Sequence, residues 1–248
     1  MKFEHIAANL KGIPYTQKAR GKALYDHVIQ VRPDRCLELG FAHGVATCYI
    51  AAALHEIGTG MITAVDLDYS VDREPNLESL LAQNGLEDYC QIYREKNSYT
   101  WFLKKEIERN SVDGICSPEY DFCFIDGPKN WTIDGLAFFL VDKLLNEHGW
   151  IVFDDFNWTY GNDVDRVMDG IVFRELSEDQ ATTPNIKIIV ELLVMQHPSY
   201  SRFLLDEDWA WAQKSPGELK TVRYIASQSM KYRLLKKYRQ LARSLRRF

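Results

Sequence analysis

The 248-residue chain has no C-x-x-C pair and no Cys/His spacing suited to zinc, and its five cysteines are an odd number, with Cys36 and Cys123 inside apolar runs. Neither a zinc site nor a disulfide framework is expected. No stretch approaches the roughly 18 apolar residues of a membrane span. The first ten residues hold no apolar core long enough for a signal peptide, so a cytoplasmic location is expected. Internal repeats and low-complexity linkers are missing too. With 46% hydrophobic and 26% charged residues, the composition suits one sizeable globular core. The C-terminal stretch lacks acid altogether. From Leu219 to Phe248 there are ten Lys or Arg and no Asp or Glu, which leaves the first 218 residues at −15. The expected division is an acidic domain over 1–218 and a basic tail over 219–248. A body of that charge repels a phosphate backbone, so no nucleic-acid partner is expected.

Three aspartates stand out against this background. Asp126 ends Y-D-F-C-F-I-D, and Asp154 and Asp155 end G-W-I-V-F-D-D. Each follows the aromatic and β-branched composition of a buried parallel strand. About 20 residues of helical spacing lie between them, enough for one right-handed crossover. The strand ends become neighbours, and three carboxylates meet at the carboxyl edge of a sheet, where open α/β folds bind ligands. Three hard oxygen donors at one point imply Mg²⁺ or a similar divalent cation. The alternative is three strand-end aspartates that cap the helices after them.

The chain reads as five β-α units in series, hence a doubly wound parallel sheet. A helix over 17–30 precedes R-C-L-E-L-G, M-I-T-A-V-D-L-D, C-Q-I-Y-R and the two aspartate-bearing strands. Helices are expected over about 74–84, 98–109, 131–146 and 163–177, with a loop at 110–119. N-I-K-I-I-V-E-L-L-V-M-Q and Y-S-R-F-L-L-D-E-D-W-A-W read as two strands, and the H-P-S link between them demands an antiparallel hairpin.

Glu38-Leu39-Gly40-Phe41-Ala42-His43-Gly44 forms the turn from the first strand into its helix. Gly40 allows a tight turn, and Gly44 lets the helix N-terminus approach a ligand. The G-x-G-x-x-G of dinucleotide enzymes is absent, since positions 42 and 45 are Ala and Val. Asp66 closes the second strand, where an acid commonly takes ribose hydroxyls. These residues suit an adenosine-containing cofactor without a pyrophosphate. On them the chain resembles, over residues 15–160, the class I S-adenosylmethionine-dependent methyltransferases. The resemblance implies that Glu38, Gly40 and Gly44 hold the methionine portion and Asp66 the ribose, with Lys96-Asn97-Ser98 near adenine and Asp126 at the cofactor's edge. Thr47 either reaches the cofactor carboxylate or is an ordinary helix residue.

Asp126-Gly127-Pro128-Lys129 followed by Asp154-Asp155 resembles the cation-dependent O-methyltransferases that act on catechols and caffeoyl-CoA, which carry Asp-x-x-Lys and then Asp-Asn. The acid pair is similar instead to the macrocin-type sugar O-methyltransferases and the cephalosporin-hydroxylase-like group. The resemblance implies a seven-stranded sheet with a final hairpin and Mg²⁺ held by Asp126, Asp154 and Asp155. The acceptor it implies is a hydroxyl of a small molecule, with a sugar or glycoconjugate favoured. Lys129 and Asp126 are the candidate catalytic residues. Lys129 either takes the hydroxyl proton or is a solvated loop lysine, and Trp131 and Trp158 either wall the acceptor pocket or simply pack. His43 is expected to be structural, and His148 to lie away from the active edge. An NAD-dependent oxidoreductase and a non-catalytic cofactor-binding scaffold are the rival readings. Leu219, Val222, Ile225, Leu234, Tyr238, Leu241, Leu245 and Phe248 draw an apolar stripe on a helical tail. That tail suits the acidic body, a second subunit or an anionic membrane surface, which would place the chain peripherally at the inner face.

Overall fold

The computed structural model describes residues 1–162 and 176–225. Five strands are mutually parallel: β1 (Arg35–Leu39), β2 (Met61–Leu67), β3 (Cys90–Glu95), β6 (Tyr120–Ile125) and β7 (Leu145–Phe153). The small antiparallel pair β4 (Ser111–Val112) and β5 (Ile115–Cys116) occupies what the sequence presents as a loop. The main sheet continues through β9 (Ala210–Lys214), β8 (Tyr200–Leu205) and β10 (Thr221–Tyr224), giving the order β10-β8-β9-β7-β6-β1-β2-β3.

The helices divide between the two faces. Helices α1 (Phe3–Asn9), α2 (Lys18–Val31), α3 (Val45–Ile57) and α4 (Leu77–Asn84) pack one core against Cys36, Phe122, Phe124 and Trp209. On the other face α5 (Tyr99–Arg109), α6 (Trp131–Leu144) and α8 (Asn185–Ile189) enclose Leu37, Leu39, Cys123, Ile125 and Phe153. Alternate residues of β1 and β6 thus enter opposite cores, as a strand covered on both faces requires. α3 is buried at every position from Val45 to Leu54, because the sheet lies under it while α1, α2 and α4 flank it. An apolar surface all round is the sequence of such an enclosed helix.

Three expectations need correction. The sheet has eight strands rather than seven, β10 being added at the edge. The segment Asn185–Val194 is helical, α8 continuing into a π-helical turn over Val190–Val194, and is no strand. Its β-branched composition favours a strand, but its buried residues Ile186, Ile189, Val190 and Val194 recur at helical steps. Tertiary packing on α6 outweighs the weak intrinsic preference. The antiparallel hairpin is instead β8–β9, formed within the second segment around Asp206–Trp209. Thirdly, the basic tail does not begin as a helix, for Thr221–Tyr224 pairs with β8 in parallel and Val222 lies in that strand. The rest of the stripe, Leu234 to Phe248, lies outside the described residues, as does most of the helix expected near 163–177. The remaining short helix, α7 (Glu178–Thr182), opens with a capping box between Ser177 and Gln180. Among the described residues no helix is long and apolar enough to cross a membrane.

Candidate active site

Strand order reverses beside β1, which pairs with β2 on one side and β6 on the other. The two chains of helices depart to opposite faces there, leaving a crevice at the carboxyl ends. Backbone hydrogen bonds tie these ends together: Asp126 N–H donates to Leu39 O at 2.9 Å and Asp154 N–H to Ile125 O at 3.0 Å. Gly40 N–H similarly donates to Val65 O at 2.8 Å. Gly40 has φ +89°, and a Cβ on it would overlap the Asp126 carbonyl oxygen. Only glycine fits so close an approach of two strand ends.

Asp126, Asp154 and Asp155 each present a carboxylate oxygen within 4.8 Å of the others. The Lys129 ammonium lies against them, paired with Asp126 and 3.4 Å from Asp155 Oδ2. Lys129 is buried. Burial opposes its charge, yet Asp126, Asp155 and Asp154 outweigh it and hold the ammonium above its ordinary range. Burial also raises Asp126 and Asp154, and for Asp154 the charge of Asp126 adds to the effect. Three hard carboxylate oxygens this close together are a donor set that fits a divalent cation. Lys129 and Asp155 both have left-handed backbones, at φ 61° and 57°. Such conformations cost about 1–2 kcal/mol per residue and recur where a site dictates the geometry.

Residues outside the expected set hold the loop after β6. Asp134, buried on α6, accepts from Tyr99 Oη and from Asn130 N–H, the latter at 2.6 Å. Tyr160 Oη donates to Pro128 O at 2.7 Å. Asp134 has a signal in the sequence, an acid on the apolar face of an amphipathic helix eight residues beyond Asp126. Tyr99 and Tyr160 have none, since nothing local separates them from ordinary core tyrosines.

At the cofactor end Glu38 is fully buried. Thr47 Oγ1 donates to its Oε2, and Oε1 has no hydrogen-bond partner among the described residues. Thr47 therefore bonds Glu38 in this structure. Burial pushes the Glu38 carboxyl up to about 8, with Thr47 lowering it and Asp66 adding to the rise. Gly44, at φ +91°, starts α3 with no side-chain cap on the first-turn amides. Asp66 accepts from Phe41 and Ala42 N–H at 2.9 and 2.6 Å, and from Leu67 N–H at 2.6 Å. It shapes the glycine turn directly. An orphaned buried carboxylate oxygen, a cramped glycine turn and uncapped amides fit an α-amino-acid-bearing cofactor. Past β3, Asn97 is exposed and Ser98 caps α5 by accepting from Thr100 N–H at 3.1 Å.

The other expected residues have plain positions. His43 Nδ1 lies 2.7 Å from Pro75 O, to which it donates. His148 is exposed towards the amino end of β7. Trp131 lines a cavity of about 280 Å³ with Thr132, Gln180 and Asn185. Trp158 meets Tyr160 edge-on at 4.8 Å.

Known proteins share this fold. Residues 37–156 match the family model for the methyltransferase domain. No curated protein matches the chain. Among solved structures, the O-methyltransferase TomG of Streptomyces achromogenes, involved in tomaymycin synthesis and bound to S-adenosylmethionine, is similar at 15% identity and TM-score 0.57, covering 86% of this chain and 89% of that one. An O-methyltransferase from Bacillus cereus in complex with S-adenosylhomocysteine is 19% identical at TM-score 0.57, over 86% and 90%. The S-adenosylhomocysteine-bound methyltransferase PaMTH1 of Podospora anserina is 15% identical at TM-score 0.56, over 86% of each. The methyltransferase domain thus spans residues 37–156, and the chain around it has the fold of these S-adenosylmethionine- and S-adenosylhomocysteine-bound methyltransferases.

Proposed function

We propose that the chain transfers a methyl group from S-adenosylmethionine to a hydroxyl of a small molecule, with Asp126, Asp154 and Asp155 holding Mg²⁺ or a similar cation. The observation that carries this reading is the trio of carboxylates within 4.8 Å at the switch point. A bound cation would lower the pKa of the acceptor hydroxyl and fix its oxygen. Glu38 would take the methionine ammonium and Asp66 the ribose. Asn97 and Ser98 border the adenine. Lys129 is the base of this reading, and a divalent charge among its carboxylate partners opposes its ammonium. The acid pair Asp154-Asp155 and the Trp131-lined cavity favour a sugar or glycoconjugate acceptor, because an aromatic face beside amide and hydroxyl groups suits a polyhydroxylated ring. A cytoplasmic enzyme, associating through its basic tail with a second copy or an anionic membrane, completes the proposal. Neither an NAD-dependent oxidoreductase nor a bare scaffold gives the trio a role. The deciding experiment combines calorimetry of S-adenosylmethionine against NAD with transfer assays in EDTA and in Mg²⁺. Preference for NAD, or full turnover in EDTA, overturns it.

Lys129→Met should lower the turnover rate on the acceptor by about 10²-fold or more, the usual scale for a proton-transfer group, with cofactor affinity little changed. An unchanged rate removes Lys129 as the base.

Glu38 gives cofactor binding a pH dependence. Its carboxyl is pushed up to about 8 in the ligand-free fold, against about 4.3 in an unfolded chain. The stability it contributes is full below the unfolded value and declines as pH rises through 8. An ammonium placed on it favours the carboxylate, so binding releases a proton below pH 8. Affinity should rise between pH 6 and 7.5 by up to about tenfold per unit. Glu38→Gln should flatten this slope, measured by calorimetry in buffers of differing protonation enthalpy.

A further inference from the structure

The hairpin between β8 and β9 reaches back onto the metal-bearing edge. Trp209, at the end of the Asp206–Trp209 link, is only 2% exposed and packs in the core beside Phe124 and Trp211. Its indole N–H donates to Asp154 Oδ1. The ring face is covered by Arg20 of α2, whose guanidinium carbon lies 4.9 Å from the ring centroid. Arg20 is itself held, by Asp206 at 2.8 Å and by Asp208. The link is fastened from within as well: Asp206 Oδ1 accepts from the N–H groups of Asp208 and Trp209, both at 2.8 Å. It is also fastened to the loop that follows Asp155, since Phe156 N–H donates to Asp208 O at 2.8 Å and Asn157 Nδ2 to Glu207 O at 2.8 Å. The outer contacts join distant parts of the chain, for Arg20 is 188 positions from Asp208 and Asp154 is 55 from Trp209.

We propose that Trp209 is a positioning residue for metal binding. Its indole N–H sets the orientation of the Asp154 carboxylate, and Arg20 locks the ring that carries it. The inference rests on the reading of the aspartate trio as the cation site. Asp154 sits beside two other carboxylates, and repulsion from Asp126 and Asp155 would swing it away from the cluster before a cation arrives. An N–H on a rigid, packed ring holds the carboxylate in one rotamer by a charge-assisted hydrogen bond. A phenylalanine ring would fill much of the space and supply no donor. Arg20 adds a stacking contact to the ring and makes α2 part of the same support. Partners that orient a ligand carboxylate in this way commonly change metal affinity by about 10–100-fold when removed.

The test is calorimetric titration of the full chain with MnCl₂ and MgCl₂, without cofactor or acceptor, alongside S-adenosylhomocysteine binding and thermal melting in EDTA. Trp209→Phe should weaken metal binding about 10–100-fold and leave S-adenosylhomocysteine affinity within about twofold. Trp211→Phe is the packing control, because Trp211 lies in the same core two residues further on, in β9, packs on the Trp209 ring, and donates no hydrogen bond to Asp154 among the described residues. It should lower the melting temperature comparably and leave metal affinity within about twofold. Arg20→Lys, which keeps the charge and loses the planar stack, should give a smaller weakening of metal binding than Trp209→Phe. Wild-type metal affinity in Trp209→Phe, or an equal loss in Trp211→Phe, overturns the positioning role while the cation site stands. A wild-type chain that binds neither ion overturns both.

Discussion

Asp154→Ala should cut hydroxyl methylation by about 10³-fold, corresponding to the several kcal/mol of transition-state stabilisation a Lewis-acidic cation supplies. Asp126→Ala should match it. Each substitution removes one of three oxygens that meet within 4.8 Å, and the Asp126 change also strips the buried Lys129 ammonium of its nearest partner. Asp155→Asn should behave differently. Asn keeps a hard oxygen donor and tolerates the left-handed backbone at φ 57°. A loss of about tenfold or less is expected there, because only charge is removed. Rates measured across a Mg²⁺ series separate the cases, since raised metal should rescue Asp155→Asn and not the alanine variants. Equal, unrescued losses at all three positions would point to a structural role for the trio. S-adenosylhomocysteine affinity, read by calorimetry, should change by less than a factor of about three in Asp154→Ala.

Gly40→Ala should be strongly destabilising, by about 3 kcal/mol or more, since strain at a positive φ adds to an overlap with backbone that cannot rotate away. Its Cβ would meet the carbonyl of Asp126 where β1 and β6 end together. Gly58→Ala is the matching control. Gly58 caps α3 at φ +85°, and a methyl group there would find nothing within 4 Å, so only the conformational cost of about 1 kcal/mol applies. Urea denaturation of the three proteins gives both differences directly. A Gly40→Ala midpoint no lower than that of Gly58→Ala would mean the strand ends part easily. The same substitution should also disturb the cofactor turn, because Gly40 and the Asp66-bonded amides of Phe41 and Ala42 are consecutive.

Much of this architecture is written in local patterns. The five parallel strands and the crossover between the aspartate-bearing pair follow from apolar runs, their spacing and the handedness of a βαβ unit. Those features act over a few turns of chain, so they survive in the sequence unaltered. For the same reason the meeting of Asp126 with Asp154 and Asp155 could be anticipated, because adjacent parallel strands must end side by side. The glycine turn at Gly40 and Gly44 was legible because a positive φ leaves a compositional mark. The segment Asn185–Val194 was not. Its β-branched run suits a strand, and only the groove beside α6 made its helical period the lower-energy choice. The edge strand Thr221–Tyr224 was likewise invisible, since an exposed strand has no alternating pattern and needs β8 as its template. Asp66 closing the glycine turn, the Tyr99–Asp134 pair under the Asp126 loop and Trp209 on Asp154 belong to the tertiary structure alone. Sequence by itself determined which residues carry charge and chemistry and which strand end each occupies. Tertiary structure decided how those groups are held, because a hydrogen bond across tens or hundreds of residues leaves no trace in the neighbours of either partner.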